Sequence, residues 1–168
     1  MGRKGDNNRY SARARTVEFQ NDSGRKPSPI PLENCPWCGW KFKKDSFKLL
    51  PNPDEPTDLR VVCVNRECAF HSRRQARGIP ILSVDEPIYR RLPCFLIATV
   101  DKFASLPWVG DTAGLFGKVA RHDADGFYGA ARPGRGAPLK APLPPPDLVI
   151  QDELHLISGP LGTIAGLY

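Results

Sequence analysis

The stretch Asp147-Leu148-Val149-Ile150-Gln151-Asp152-Glu153-Leu154-His155 sets the expected fold, because a short apolar run passes directly into two adjacent carboxylates. Such a run suits a strand buried on both faces, the kind that fills parallel sheets. In those sheets chemistry gathers at the carboxyl ends of the strands, which is where Asp152 and Glu153 would stand. Paired carboxylates there suit ATP hydrolysis: Asp152 would hold the hydrated Mg2+ bridging the terminal phosphates, and Glu153 would orient or deprotonate the attacking water. His155 would sense the γ-phosphate. The plainer alternative is an acidic strand-to-helix turn, with Asp152 capping the following helix and Glu153 lying at its positive end. A zinc-hydrolase site is excluded, since no second histidine stands at helical spacing from His155.

Upstream, residues 121–146 hold six prolines and four glycines, a composition that reads as a linker or surface loop. Before it, Pro93-Cys94-Phe95-Leu96-Ile97-Ala98-Thr99 reads as a second strand buried on both faces, followed by a short helix over 100–106. Within that strand Cys94 is expected as a small buried hydrophobe rather than a nucleophile.

The remaining four cysteines form a separate motif. Cys35-Pro36-Trp37-Cys38-Gly39 and Cys63-Val64-Asn65-Arg66-Glu67-Cys68 are two thiol pairs separated by 24 residues. Four thiolates satisfy a tetrahedral zinc ion, and a small lobe with little core needs such a staple. The alternative is four unligated structural cysteines. Gly39 lets the chain turn so that backbone amides can point at the sulfurs. The second pair has four intervening residues instead of the commoner two, which leaves His71 as a substitute ligand ranked below the cysteines; its plainer role is a surface histidine beside Phe70. Around this motif, 40–42 and 59–64 carry strand signals separated by a Pro/Asp-rich turn over 51–57. Lys41, Lys43, Lys44 and Lys48 interleave with Trp40, Phe42 and Phe47. That pattern suits phosphate contacts with stacking platforms for single-stranded bases, and equally an amphipathic strand with solvated lysines.

Residues 1–30 have too few apolar side chains to bury a core and are expected to be a flexible basic arm. There Arg3, Lys4, Arg9, Arg13, Arg15, Arg25 and Lys26 stand against Asp6, Glu18 and Asp22, whereas 147–168 contains three acidic residues and no Lys or Arg. Net charge is +6, which permits attraction to nucleic acid without demanding it. No apolar run approaches the roughly 20 residues of a membrane-spanning helix, and the polar N-terminus lacks the apolar core of a secretory signal. The expected location is therefore cytoplasmic, away from membranes. In that reducing compartment the thiols are read as metal ligands and not as a disulfide framework.

At these residues a family resemblance enters. Asp147 to His155 resembles the DExH motif of superfamily 2 helicases, and Ile97-Ala98-Thr99-Val100-Asp101-Lys102-Phe103 resembles the segment that contacts the nucleic-acid backbone in them. More narrowly, Leu92-Pro93-Cys94-Phe95-Leu96-Ile97-Ala98-Thr99-Val100-Asp101-Lys102-Phe103-Ala104 followed by Ile150-Gln151-Asp152-Glu153-Leu154-His155-Leu156-Ile157-Ser158-Gly159-Pro160-Leu161-Gly162-Thr163 is similar to the large helicase protein of DISARM-type bacterial anti-phage defence systems. The resemblance implies Asp152 as the magnesium-organising carboxylate, Glu153 as the catalytic base, His155 as the coupling residue, and Thr99 and Lys102 as nucleic-acid contacts. Thr99 has a plainer role as a strand-end cap of the following helix. It also implies ATP and Mg2+ as cofactors of the intact protein, DNA as partner, and further subunits of the defence system.

A phosphate-binding loop of the form Gly, four residues, Gly-Lys-Ser/Thr does not occur in the sequence. Gly117-Lys118 is a decoy, with Thr112 where the first glycine should be and Val119 where the hydroxyl should be. The chain therefore resembles an internal piece of a helicase, a gene fragment or split subunit that by itself should not hydrolyse ATP. The expected fold is α/β: a flexible basic arm over 1–30, a zinc-ribbon-like insertion over 31–75, and part of a RecA-like parallel-sheet lobe over 76–168 with its Pro/Gly-rich loop at 121–146. The competing function is a non-catalytic zinc module that binds nucleic acid or protein.

Overall fold

The computed structural model describes residues 1–99, 108–130, 132 and 134–150, and the chain divides into two units, Met1–Ile88 and Tyr89–Tyr168. The first unit is built on an antiparallel hairpin of β1 (Phe47–Leu50) and β2 (Asp58–Val61). Period-two alternation puts Phe47 and Leu49 on the buried face, directly opposite Val61 and Leu59, while Lys48 points outward beside Arg60. The intervening turn is the Pro/Asp-rich segment, closed by the Thr57 N–H donating to the Leu50 carbonyl at 2.7 Å. The first strand lies later than the sequence signals suggest. Residues 40–42 make only an isolated bridge, Asn34 to Lys41, and a 3-10 turn at Lys44–Ser46 separates them from β1.

Helix α1 (Ala12–Asn21) packs on this hairpin. Ser11 caps it by accepting the Ala14 N–H at 3.2 Å, and the Thr16 hydroxyl folds back to the Ala12 carbonyl at 2.7 Å, so that a buried polar group is satisfied. Phe19 meets Phe47 edge-on with ring centres 5.3 Å apart, and Phe42 meets Phe47 at 5.4 Å. Gln20 ties the helix to the start of β1 by donating to the Phe47 carbonyl at 2.9 Å. Part of the expected flexible arm is thus folded: its few apolar residues are poor in number, but Phe19 enters a core supplied by residues far along the chain.

That core comprises Phe19, Ile30, Phe42, Phe47, Leu49, Leu59, Val61, Ile79 and Val84 together with Cys35, Cys63 and Cys68. The thiols are therefore part of the core itself, not an appendage to it. At its edge Gly78 (φ +74°) crosses the end of β2 so closely that a Cβ there would lie 2.2 Å from the Val61 carbonyl oxygen, and the next residue, Ile79, donates its N–H to that same oxygen at 2.8 Å.

Helix α2 (Asp85–Arg91) runs across the division between the units. In the second unit a 3-10 helix at Gly110–Phe116 ends on Gly117, and a small antiparallel sheet of order β4-β3-β5 is made by β3 (Arg121–Asp123), β4 (Gly126–Tyr128) and β5 (Ala137–Pro138). Asp123 organises the β3–β4 turn by accepting the N–H groups of Asp125 (2.8 Å) and Gly126 (3.2 Å) and the hydroxyl of buried Tyr128 (3.0 Å). The segment 121–146, read from its prolines and glycines as loop, thus holds a short sheet pinned by an Asx turn.

The apolar run 93–99 forms no strand, and Phe95 and Ile97 are 77% and 83% exposed. Cys94 is exposed as well, contrary to the buried position expected of it. Leu148, Val149 and Ile150 are likewise exposed and outside any strand. A strand buried on both faces exists only between neighbouring strands and covering helices, and among the described residues every sheet is antiparallel and small.

Candidate metal centre

The first knuckle is set by local hydrogen bonding. The Cys35 N–H donates to the Trp40 carbonyl and the Gly39 N–H to the Cys35 carbonyl, both at 2.8 Å, and Gly39 takes φ +73°. This is the turn anticipated from the glycine after Cys38. The second knuckle begins where β2 ends. Cys63 donates its N–H to the Phe70 carbonyl at 3.1 Å and Cys68 donates to the Asn65 carbonyl at 3.0 Å, which curls 63–71 back on itself.

These turns bring Cys35, Cys38, Cys63 and Cys68 together, with all four sulfurs within 4.8 Å of one another; Cys35 and Cys68 are 3.9 Å apart and Cys38 and Cys63 3.6 Å. Four sulfurs around one ion with bonds of about 2.3 Å stand about 3.8 Å apart at the corners of a tetrahedron. The cluster therefore has the dimensions of a tetrahedral tetrathiolate site and can hold a metal ion. Contacts at the thiols fit the same purpose. Asn65 and Phe70 donate backbone N–H groups to Cys63 Sγ and Cys68 Sγ, each at 3.4 Å, and Asn65 Nδ2 reaches Cys38 Sγ at 3.8 Å. Such donors spread the excess negative charge of four thiolates on a divalent ion.

The electrostatics differ among the ligands. A backbone hydrogen bond from Trp40 is the main influence that lowers the Cys38 thiol to about 7, whereas burial pushes Cys63 up to about 12 and also raises Cys68. Buried thiols of this kind are neutral until a cation displaces their protons. Trp37 stacks edge-on against Phe70 at 5.4 Å. His71 stands outside the cluster: its Nδ1 accepts the Arg73 N–H at 3.2 Å.

Thr99 is described and exposed, outside any helix or strand. Lys102, Asp152, Glu153 and His155 lie outside the described residues. No helix of the described residues is long and apolar enough to cross a membrane.

Comparison with known proteins gives one pertinent relative. The chain is 43% identical over 146 residues to the DISARM protein DrmA of Bacillus paralicheniformis, a match covering 80% of this chain and 12% of that protein. The chain thus spans about an eighth of the relative's length. No family model matches the chain. No solved structure matches it. These findings correct the resemblance to superfamily 2 helicases: the relative is named as a DISARM protein without being shown to be a helicase, and the assignment is withdrawn.

Proposed function

We propose, with the similarity to DISARM protein DrmA as premise, that this sequence serves bacterial anti-phage defence, and that residues 1–88 form a zinc-stapled interaction module within the defence assembly. The observation that carries the module is the four-thiol cluster, whose sulfur separations suit zinc and whose ligands are part of the unit's own core. Zinc has no redox chemistry and a closed tetrathiolate site leaves no position for substrate, so its contribution is structural. Cys35 and Cys38 would fix the first knuckle, and Cys63 and Cys68 would fix the second against the end of β2.

The test is made in cells carrying the complete defence system. Replacing Cys63 and Cys68 by serine in the intact protein is expected to abolish both its bound zinc and protection against phage. Full protection by a zinc-free variant would contradict the proposal.

We further propose that Asp152 and Glu153 belong to a magnesium–ATP site of the intact protein, on a RecA-like lobe completed by other parts of it. Support comes from the adjacent carboxylates of Asp152-Glu153-Leu154-His155 in the sequence, a pair suited to holding Mg2+ and activating water. Glu153→Gln in the intact protein is expected to abolish ATP turnover while nucleotide binding survives; unchanged turnover would remove this assignment.

A further inference from the structure

The second knuckle is wider than metal binding requires, since four residues separate Cys63 from Cys68 where two suffice. The extra length carries Arg66 to the rim of a cleft of about 330 Å³ lined by Asp45, Lys48, Val62, Val64, Arg66, His71, Ser72 and Arg73. Lys48 comes from the outward face of β1, Arg66 from the knuckle, and Arg73 from the turn just after it. Among the described residues none of these three cations has an ion-pair partner, although the first unit pairs others such as Lys4 with Asp54 and Lys26 with Glu18. Asp45 is the single carboxylate in the lining.

Two further donors complete the cleft. Ser72 offers a hydroxyl. His71 accepts the Arg73 N–H through Nδ1, so that in the neutral ring Nε2 carries the hydrogen and can donate. A polar cleft with three unpaired cations, a hydroxyl and an imidazole N–H suits a phosphate group.

A second groove of about 350 Å³ shares Lys48, Val62 and Ser72 with this cleft. The apolar side chains it exposes are Leu50, Pro53 and Ala76, with Arg60 and Gln20 also in its lining, while Phe47, Leu49 and Val62 are themselves buried. The two adjoin at these shared residues, the first lined by three cations and the second by exposed apolar side chains beside Arg60. A free phosphate would use only the first. A nucleotide unit within a strand uses both, with its phosphate among Lys48, Arg66 and Arg73 and its base on the apolar groove.

The geometry points to a single-stranded nucleic-acid binding site on the first unit, in which Lys48, Arg66 and Arg73 hold a phosphodiester and the groove over β1 takes the neighbouring base. The inference rests on the interaction module proposed above and names its ligand. The metal and the ligand are linked physically: Cys63 and Cys68 bracket Arg66, so a metal ion that fixes the knuckle also fixes this cation.

The test uses the full chain purified with zinc, a fluorescently labelled oligothymidylate of about ten nucleotides, and anisotropy at low and moderate salt, with zinc content measured for every sample. The wild-type chain is expected to bind the oligonucleotide, and R66A/R73A to bind at least tenfold more weakly with its zinc retained. Lys48→Gln should flatten the dependence of log affinity on log salt by about 0.7, one phosphate contact on a single strand. Lys26→Gln, whose partner is Glu18, should leave binding within twofold. Zinc-loaded wild type that fails to bind, cleft variants that bind like Lys26→Gln, or equal competition by polyglutamate would each overturn the site. Absence of zinc from wild type would instead strike the metal reading, so the two failures are distinguishable.

Discussion

Asn65 offers a sensitive perturbation because its side chain touches the metal site without being a ligand. Its Nδ2 reaches Cys38 Sγ at 3.8 Å, and its Oδ1 accepts the Glu67 N–H at 3.1 Å, bracing the loop between Cys63 and Cys68. Asn65→Ala deletes both contacts but keeps the backbone N–H that points at Cys63 Sγ. Removing a group that hydrogen-bonds a metal ligand typically costs 10–100-fold in metal affinity. The contact to sulfur is long and Cys38 is exposed, which favours the lower part of that range, while loss of the loop brace adds to it. The expected outcome is about tenfold to thirtyfold weaker zinc binding, measured by competition with a chromophoric chelator at pH 7.5. Affinity within twofold of wild type would refute the idea that these donors stabilise the thiolates.

Other consequences follow from the same geometry. Zinc affinity should fall as pH is lowered, on the order of tenfold per pH unit for each thiol proton displaced, because burial keeps Cys63 near 12 and Cys68 raised, so both enter the site protonated; below about 7 the Cys38 proton steepens the slope. The metal-free fold follows the opposite bookkeeping. Raised Cys63 favours folding until pH climbs through about 12, and the lowered Cys38 favours it only until pH falls through about 7, which urea titrations of the apo chain at several pH values would show. Phe47→Ala removes a fully buried ring between Phe19 and Phe42 and should destabilise the first unit by about 3–5 kcal/mol in urea unfolding; a loss under 1 kcal/mol would mean that α1 does not depend on this contact. Gly78→Ala must displace backbone at the Val61 carbonyl and should lower the unfolding midpoint more than Gly39→Ala, which meets open space and carries only the left-handed backbone strain.

The cysteine spacing was readable because metal geometry constrains residues locally: two short knuckles and a glycine are visible without knowing what surrounds them. The turn over 51–57 was readable for the same reason. Helix α1 was not, since its placement depends on one aromatic residue, Phe19, meeting Phe47 across a tertiary contact that no window of sequence contains. Apolar runs misled in the opposite direction. Phe95 to Ile97 and Leu148 to Ile150 have the composition of buried strands, yet composition states only what would be favourable given neighbours, and these segments are exposed where they are described. Residues 121–146 show how a proline-rich segment can still hold a sheet when one carboxylate, Asp123, satisfies three donors at the turn. The cationic cleft was half visible: Lys48 stood out, but Arg66 and Arg73 join it only after the second knuckle folds back.

The central claim is that four thiolates hold one metal ion at the edge of the first unit's core, and X-ray absorption at the zinc edge of the purified chain tests it most directly. One equivalent of zinc with four sulfur neighbours at about 2.3 Å is the expected result. A stoichiometric zinc with nitrogen or oxygen in its first coordination sphere, or a folded chain that retains no metal, would contradict it.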